Sequence, residues 1–370
     1  GRGAPGRSPR ADPEAPNGSL AGAGSGPEGA AAGVAEVEGK DLDFNPAFAS
    51  QLHQLRSGNE EEKQRAAFML RIFAAESADN QEAIAQAGAV APLIALLGDR
   101  LPGLREEAAR ALWNLVRNNR EVNLRNQEAI GRAGSIPPLV RLLDDPVSRV
   151  RVVAASVLND LASESEDNQV KIASAGAVAP LVRLLQQDEA PALVMATSLL
   201  KSLALHNSDR TVGLALASAV EPLVKLLLSP SYLAQEQAAS TLGALAAHNA
   251  GLQTAIAHAG AVAPLVQRLD GDMMKGTTAL ALRNLAASNA ENQVAIVQAG
   301  GIAPLVKLLE DGMPGVREEA AGALWNLAAD NFDHQVAVVR AGAAIPLVAL
   351  LKGDAQEQAT ITLLKLTATS

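Results

Sequence analysis

The chain contains no cysteine. That excludes disulfides and thiolate-held metal, and with them a small secreted domain stapled by bridges; it also leaves no thiol nucleophile. An intracellular location, cytoplasmic or nuclear, is the resulting expectation. Aromatic residues make up 2% of the sequence, with two tryptophans and one tyrosine, so an apolar interior has to be built from aliphatic side chains. Basic charge is in deficit: 31 lysines and arginines stand against 40 aspartates and glutamates, a formal net charge of −9. Nucleic acid and anionic membrane surfaces demand the opposite balance and are excluded as main partners. No apolar run approaches the roughly 18 residues of a membrane span, and the first residues lack the apolar core of a secretion signal. No direct membrane insertion is expected.

Signatures of catalysis are missing as well. The five histidines, His53, His206, His248, His258 and His334, show neither the H-x-x-x-H nor the H-E-x-x-H spacing of zinc sites. Lys275-Gly276-Thr277-Thr278 has phosphate-loop residues in the wrong order, and no G-x-S-x-G elbow occurs. Gly24 to Gly29 spells G-x-G-x-x-G, but no strand precedes it and Pro27 sits inside it. No catalytic residue, metal ligand or cofactor is expected, and the chain reads as a non-enzyme.

What is present is a repeat. A proline followed by leucine recurs at Pro92, Pro138, Pro180, Pro222, Pro264, Pro304 and Pro346, at intervals of 46, 42, 42, 42, 40 and 42 residues. A period of about 40 to 47 residues with two or three helices per unit marks a helical solenoid. A single core rarely grows past about 250 to 300 residues, so a stacked array suits the length. The predicted fold is all-α, with three helices per unit of about 42 residues.

Residues 1–40 are rich in glycine, alanine, proline and serine and cannot bury enough apolar surface to offset ordering entropy; a disordered segment is expected there. The solenoid then spans 41–370. Residues 41–79 fit the repeat only in their second half and read as an N-terminal cap, with Phe44, Phe48, Phe68 and Phe73 as core plugs. About seven repeats fill 80–370.

Within a repeat, the first helix is expected to be capped by Asn80, Asn126, Asn168 or Asn292. It is expected to stop at Gly88, Gly134, Gly176, Gly260, Gly300 or Gly342, where a left-handed residue costs glycine little; Ser218 is the exception. The second helix is expected to start at the anchor proline. The third carries apolar residues at i, i+3, i+4 and i+7, such as Ala108, Ala111, Leu112 and Leu115. Two departures from the period stand out. A four-residue excess at 117–125 suits a surface loop, a longer third helix or a protrusion, and a two-residue deficit around Gly271–Gly276 carries Met273 and Met274 as adaptable fillers.

The pattern Asn-Gln-x-x-Ile, Ala-Gly-Ala-Val-x-Pro-Leu-Val-x-Leu-Leu and Ala-Leu-x-Asn-Leu-Ala resembles the armadillo repeat, in its vacuolar, plant and beta-catenin forms more than in importin-alpha. The resemblance covers about residues 42–370. It implies a right-handed superhelix whose third helices line a concave groove that binds an extended protein or peptide segment. A monomer is expected.

The asparagine of Ala-Leu-x-Asn-Leu-Ala provides a reference position, equivalent to Ile72, Asn114, Asp160, Ser202, Ala244, Asn284, Asn326 and Lys365. On a helical wheel it lies opposite the apolar stripe. Asn114, Asp160, Ser202, Asn284 and Asn326 are thus groove candidates, the asparagines as a ladder of amides for a bound backbone. Glu107, Arg110, Arg117, Glu164, His206, His248, Glu319 and Asp330 also face the groove, with Lys201 and Arg283 on its flank. Trp113 and Trp325 precede their asparagines and are expected to pack on a neighbouring unit or to anchor a partner.

Four residues before the reference stand Arg110, Ser156, Ser198, Ser240, Leu280 and Gly322. None is the tryptophan that the importin-alpha resemblance would require, which disfavours a nuclear-import adaptor. A scaffold for a partner segment is the first expectation. The alternative is the substrate-recognition part of an armadillo-containing ubiquitin ligase; a further folded module upstream of Gly1 would favour the ligase, a lipid anchor there the scaffold. Removing Asn114 and Asn326 and reversing the charge of Arg110 is expected to abolish partner capture without loss of thermal stability.

Overall fold

A computed structural model describes residues 48–117, 120–187, 189–204, 210–271, 273–311, 313–353 and 355–367. The expected disordered segment 1–40, together with Phe44 and His206, lies outside the described residues. Among the described residues every regular element is a helix. Helices α1 (Ala49–Ser57) and α2 (Glu60–Glu76) precede seven triplets. In order, these are α3 (Ala78–Gln86), α4 (Val90–Leu96), α5 (Pro102–Leu115); α6 (Arg120–Arg132), α7 (Ile136–Leu142), α8 (Ser148–Ala162); and α9 (Glu166–Ser174), α10 (Val178–Leu185), α11 (Ala190–Ala204). Next come α12 (Arg210–Ala217), α13 (Val220–Leu227), α14 (Tyr232–Ala246); and α15 (Ala250–His258), α16 (Val262–Arg268), α17 (Lys275–Ala286). The last two are α18 (Ala290–Gln298), α19 (Ile302–Leu308), α20 (Pro314–Leu327); and α21 (Phe332–Arg340), α22 (Ala344–Leu350), α23 (Gln356–Thr367). The third helices, with α2 at their head, pack each against the next from α2 to α23. The fold is an α-solenoid.

The Asn-Gln dipeptide holds first helix to third by a route other than capping. The N-caps are Ser77, Ser165, Asn249, Asn289 and Asn331, whose side chains accept from the backbone N–H three residues on. Asn80, Asn168 and Asn292 therefore sit one turn inside, and their amides reach back to the preceding third helix. Asn168 Nδ2 donates to Leu161 O at 2.9 Å and Gln169 Nε2 to Ala162 O at 2.8 Å. Asn292 and Gln293 do the same to Leu285 and Ala286. These acceptors are last-turn carbonyls, which have no partner within their own helix.

Each anchor proline is the third residue of its helix rather than the first: α4 begins at Val90, two residues before Pro92. The first-turn N–H groups lack intrahelical acceptors in any case, so the missing donor costs nothing there. The six glycines that end first helices have φ between +80° and +89°. His248, Ser288 and Asp330 are also left-handed, at φ 59°, 51° and 52°, immediately before an N-cap asparagine. His248 and Asp330 are thus corner residues, and the carboxylate of Asp330 is held by Lys365 at 2.8 Å.

The four-residue excess is one additional helical turn. It lengthens the first helix, α6, to 13 residues against nine in α3 and α9, not the third. The deficit shortens the third helix α17 to 12 residues, where α8, α11 and α14 have 15. Met274 fills the space and is buried, whereas Met273 is exposed, its carbonyl accepting from Tyr232 Oη at 3.0 Å. In the cap, Phe48 is buried against Phe73 with ring centroids 5.6 Å apart. Phe68 is not a core plug: it is exposed, with the Arg71 guanidinium 4.7 Å above its ring.

Part-buried polar contacts recur between successive turns that join second and third helices. Arg105 donates to the carbonyls of Asp99 and Arg100 in its own turn and meets Asp145 of the next at 2.7 Å. Arg151 repeats this with the carbonyl of Asp145 behind it and Gln187 and Glu189 ahead. Lys275 reaches Asp311 at 3.2 Å.

A candidate partner-binding surface on the third helices

The third helices place the reference residues in succession, and each asparagine there is tied backward. Asn114 Nδ2 donates to Arg71 O at 2.8 Å, Asn284 Nδ2 to Gly243 O at 2.9 Å and Asn326 Nδ2 to Arg283 O at 2.8 Å. In all three the acceptor is the residue just before the preceding reference. An amide has two N–H donors and an acceptor oxygen. One donor is used, and among the described residues no hydrogen bond reaches the Oδ1 of any of the three. Asn114 and Asn284 are half-buried, and Asn326 is 7% exposed.

The other reference positions differ. Ser202 is 8% exposed, and its Oγ donates to Asn159 Oδ1 at 2.9 Å. Asp160 accepts from the Trp113 indole N–H at 2.8 Å and from Asn159 Nδ2 at 3.2 Å. Burial pushes the Asp160 carboxyl above its ordinary range, opposed by those two hydrogen bonds and by the charge of Arg117. The Arg117 guanidinium lies 4.2 Å above the Trp113 ring. Trp113 thus packs on the neighbouring unit and carries a cation on its open face. Among the described residues Trp325 has no such clasp, and it is 37% exposed.

The carboxylates expected to face a ligand are already matched. Glu107 is paired with Arg71 at 2.8 Å and Glu319 with Arg283 at 3.0 Å, in both cases across 36 residues. Arg110 is held by Glu106, one turn earlier on α5, at 3.0 Å. Arg71 was absent from the candidates that sequence reasoning supplies. The signal is there: Leu70-Arg71-Ile72 and Leu282-Arg283-Asn284 align on the reference position. The partner of each arginine, one unit away, is not visible in either triplet.

Lys201 occupies the same place as Arg71 and Arg283. Its Nζ lies 3.4 Å from Ser240 Oγ. Burial lowers the affinity of this amine for its proton, partly offset by the charge of Glu236. Among the described residues no group of three or more metal-binding side chains is gathered, and no helix is long and apolar enough to cross a membrane.

Comparison with known proteins adds an independent view. Residues 48–270 match the sequence model of the plant U-box protein ARM repeat region, and residues 289–329 match the armadillo/beta-catenin-like repeat. U-box domain-containing protein 12 of Oryza sativa subsp. japonica is 39% identical over 77 residues, 20% of this chain. That stretch is 13% of the rice protein's length, so the chain covers a small part of this curated relative. Among solved structures, an engineered protein is similar over 86% of this chain and 78% of its own, at 34% identity and a TM-score of 0.79. A designed armadillo repeat protein in complex with the peptide (KR)4 is similar over 64% of this chain and 98% of its own, at 27% identity and a TM-score of 0.57.

Proposed function

The chain belongs to the armadillo-repeat family, in the form of the plant U-box protein ARM repeat region, and on that premise we propose that it is a non-catalytic scaffold. It binds an extended segment of a partner protein along its third helices. The observation that carries this reading is the half-used amide. Asn114, Asn284 and Asn326 each spend one N–H on the preceding third helix or α2, which fixes the side chain and leaves a second N–H and the Oδ1 without a hydrogen bond among the described residues. A peptide backbone offers complementary donors and acceptors to such a row. A designed armadillo repeat protein similar in fold forms a complex with the peptide (KR)4, which supports the reading.

The test uses three residues of matched exposure. Leu280 and Trp325 on third helices are 38% and 37% exposed, and Val294 on the first helix α18 is 38% exposed. Proteins co-purifying with the wild-type chain are expected to be lost with Leu280→Glu plus Trp325→Ala and retained with Val294→Glu. Equal loss with both, or with neither, removes the third-helix surface from the proposal.

A second reading is favoured by the match to the U-box ARM region and to the rice protein: the chain is the substrate-recognition part of a ubiquitin ligase. The fate of captured partners separates the two. On depletion of the protein, a ligase substrate accumulates and carries less ubiquitin, whereas the level of a scaffold's partner is unchanged.

A further inference from the structure

Immediately before the reference position a cation occurs three times on the described third helices and α2, at Arg71, Lys201 and Arg283. After Arg71 and Arg283, the residue seven places before the next reference is a glutamate, and the pairs close at 2.8 and 3.0 Å. After Lys201 that residue is Gln237. Its Oε1 already accepts from Thr197 Oγ1 at 3.0 Å. Lys201 takes part in no ion pair among the described residues, and its one hydrogen-bond neighbour is the hydroxyl of Ser240. Glu236 acts on it through space without closing a pair. The neighbouring side chains on this surface, Ser198, Ser240 and Ala244, are short and half-buried.

A half-buried ammonium with no counter-ion has lost hydration without regaining it. The lowered proton affinity of Lys201 reflects the same loss. At the two flanking copies of this arrangement the fold itself supplies the anion. In the middle of the array no anion among the described residues closes a pair.

We propose that Lys201 is a subsite for a carboxylate side chain, aspartate or glutamate, of an extended partner segment, with Ser240 Oγ as a second donor. This rests on the reading of the third-helix surface given above. It adds a sign of charge to it: Glu107 and Glu319, which a basic segment would need, are consumed by arginines, and the unmatched group at the equivalent central place is a cation. The net charge of −9 does not oppose the choice, because charges beyond about 8 Å are largely screened at physiological salt, whereas a direct N–H···O contact is not. A charge-assisted hydrogen bond is about twice as strong as a neutral one, so a discrimination of roughly tenfold or more is expected.

The probes are three fluorescein-labelled dodecapeptides in which alanine alternates with aspartate, lysine or serine, followed by anisotropy at about 0.15 M salt. Wild type is expected to bind the aspartate peptide roughly tenfold more tightly than the serine peptide. Lys201→Met should erase that preference while leaving the serine peptide unaffected, and Lys201→Arg should keep it. An acidic preference that survives Lys201→Met, or a wild-type preference for the lysine peptide, overturns this proposal and leaves the surface reading standing. If none of the three binds, the surface reading fails and this proposal with it.

Discussion

The guanidinium of Arg283 lies across the bare backbone of Gly322, one unit further on. A Cβ at Gly322 would stand 2.7 Å from Arg283 Nε and 2.9 Å from its Cδ. A glycine in the interior of α20 costs about 1 kcal/mol of helix propensity relative to alanine. The glycine is the seat of the Arg283–Glu319 pair, and its removal displaces the arginine.

Gly322→Ala therefore sets two terms of similar size against each other: a propensity gain of about 1 kcal/mol and the loss of a part-exposed pair worth about 0–1 kcal/mol. Net stability should change by less than about 1 kcal/mol. The coupling is the sharper readout. Glu319→Gln should lower the denaturation midpoint in the Gly322 background and have no effect in the Gly322→Ala background; equal effects in both would separate the glycine from the ion pair.

Asn326→Ala should cost more than Asn114→Ala. Arg283 is in the last turn of α17, where the C-cap N–H goes to Asn284, so its carbonyl loses its partner when Asn326 is truncated. That leaves a penalty of about 1–3 kcal/mol. Arg71 is followed by five more helical residues in α2, and its carbonyl keeps an i+4 donor; Asn114→Ala should cost under about 1 kcal/mol. Urea unfolding of the two variants measures the difference. The expectation that these asparagines can be removed without loss of stability is thus corrected by their inter-unit bonds.

Asp160→Asn should stabilise the fold near neutral pH by about 1 kcal/mol. The amide keeps an oxygen for the Trp113 indole and exchanges the one that accepts from Asn159 Nδ2 for an Nδ2 that can donate to the carbonyl of Trp113, the acceptor that the other asparagines use, while no charge is left to bury. The folded-state pKa of Asp160 is raised above the ordinary 3.8, so folding favours its protonated form. That contribution is fully present below the unfolded pKa and is lost as pH rises through the folded pKa. The advantage of the asparagine variant should shrink on acidification toward pH 3.8. An advantage that grows on acidification would contradict the burial of this carboxyl.

Gly300→Ala isolates a backbone cost. Gly300 has φ +83°, and a Cβ there would meet nothing within 4 Å. The whole loss, about 1–2 kcal/mol, is left-handed strain. Gly300→Asn should cost less, because asparagine tolerates this region. Thermal melts of the two variants give the ranking.

The glycine stops were legible in the sequence because a left-handed residue after a helix is a local demand, met by one residue type. The caps were misassigned because Ser77 and Asn80, or Asn289 and Asn292, are both cap-forming residues three places apart. What separates them is that Asn80 and Asn292 reach the carbonyls of Phe73 and Leu285 on another helix. The helical wheel put Glu107 and Glu319 on the outer face. That each is consumed by an arginine 36 residues earlier depends on how units stack, which periodicity does not encode. The same holds for Ser202, whose hydroxyl is turned into the array by Asn159.

The sequence has two tryptophans, and they report on opposite ends of the stack. Trp113 is clamped between the guanidinium of Arg117 and the carboxylate of Asp160, while Trp325 stands open to solvent. Indole emission is sensitive to both environments, so single-tryptophan variants turn the chain into a pair of independent optical gauges. Because each unit of a solenoid leans only on its neighbours, heating need not move the two gauges together, and any gap between them measures how far melting at one end runs ahead of the other.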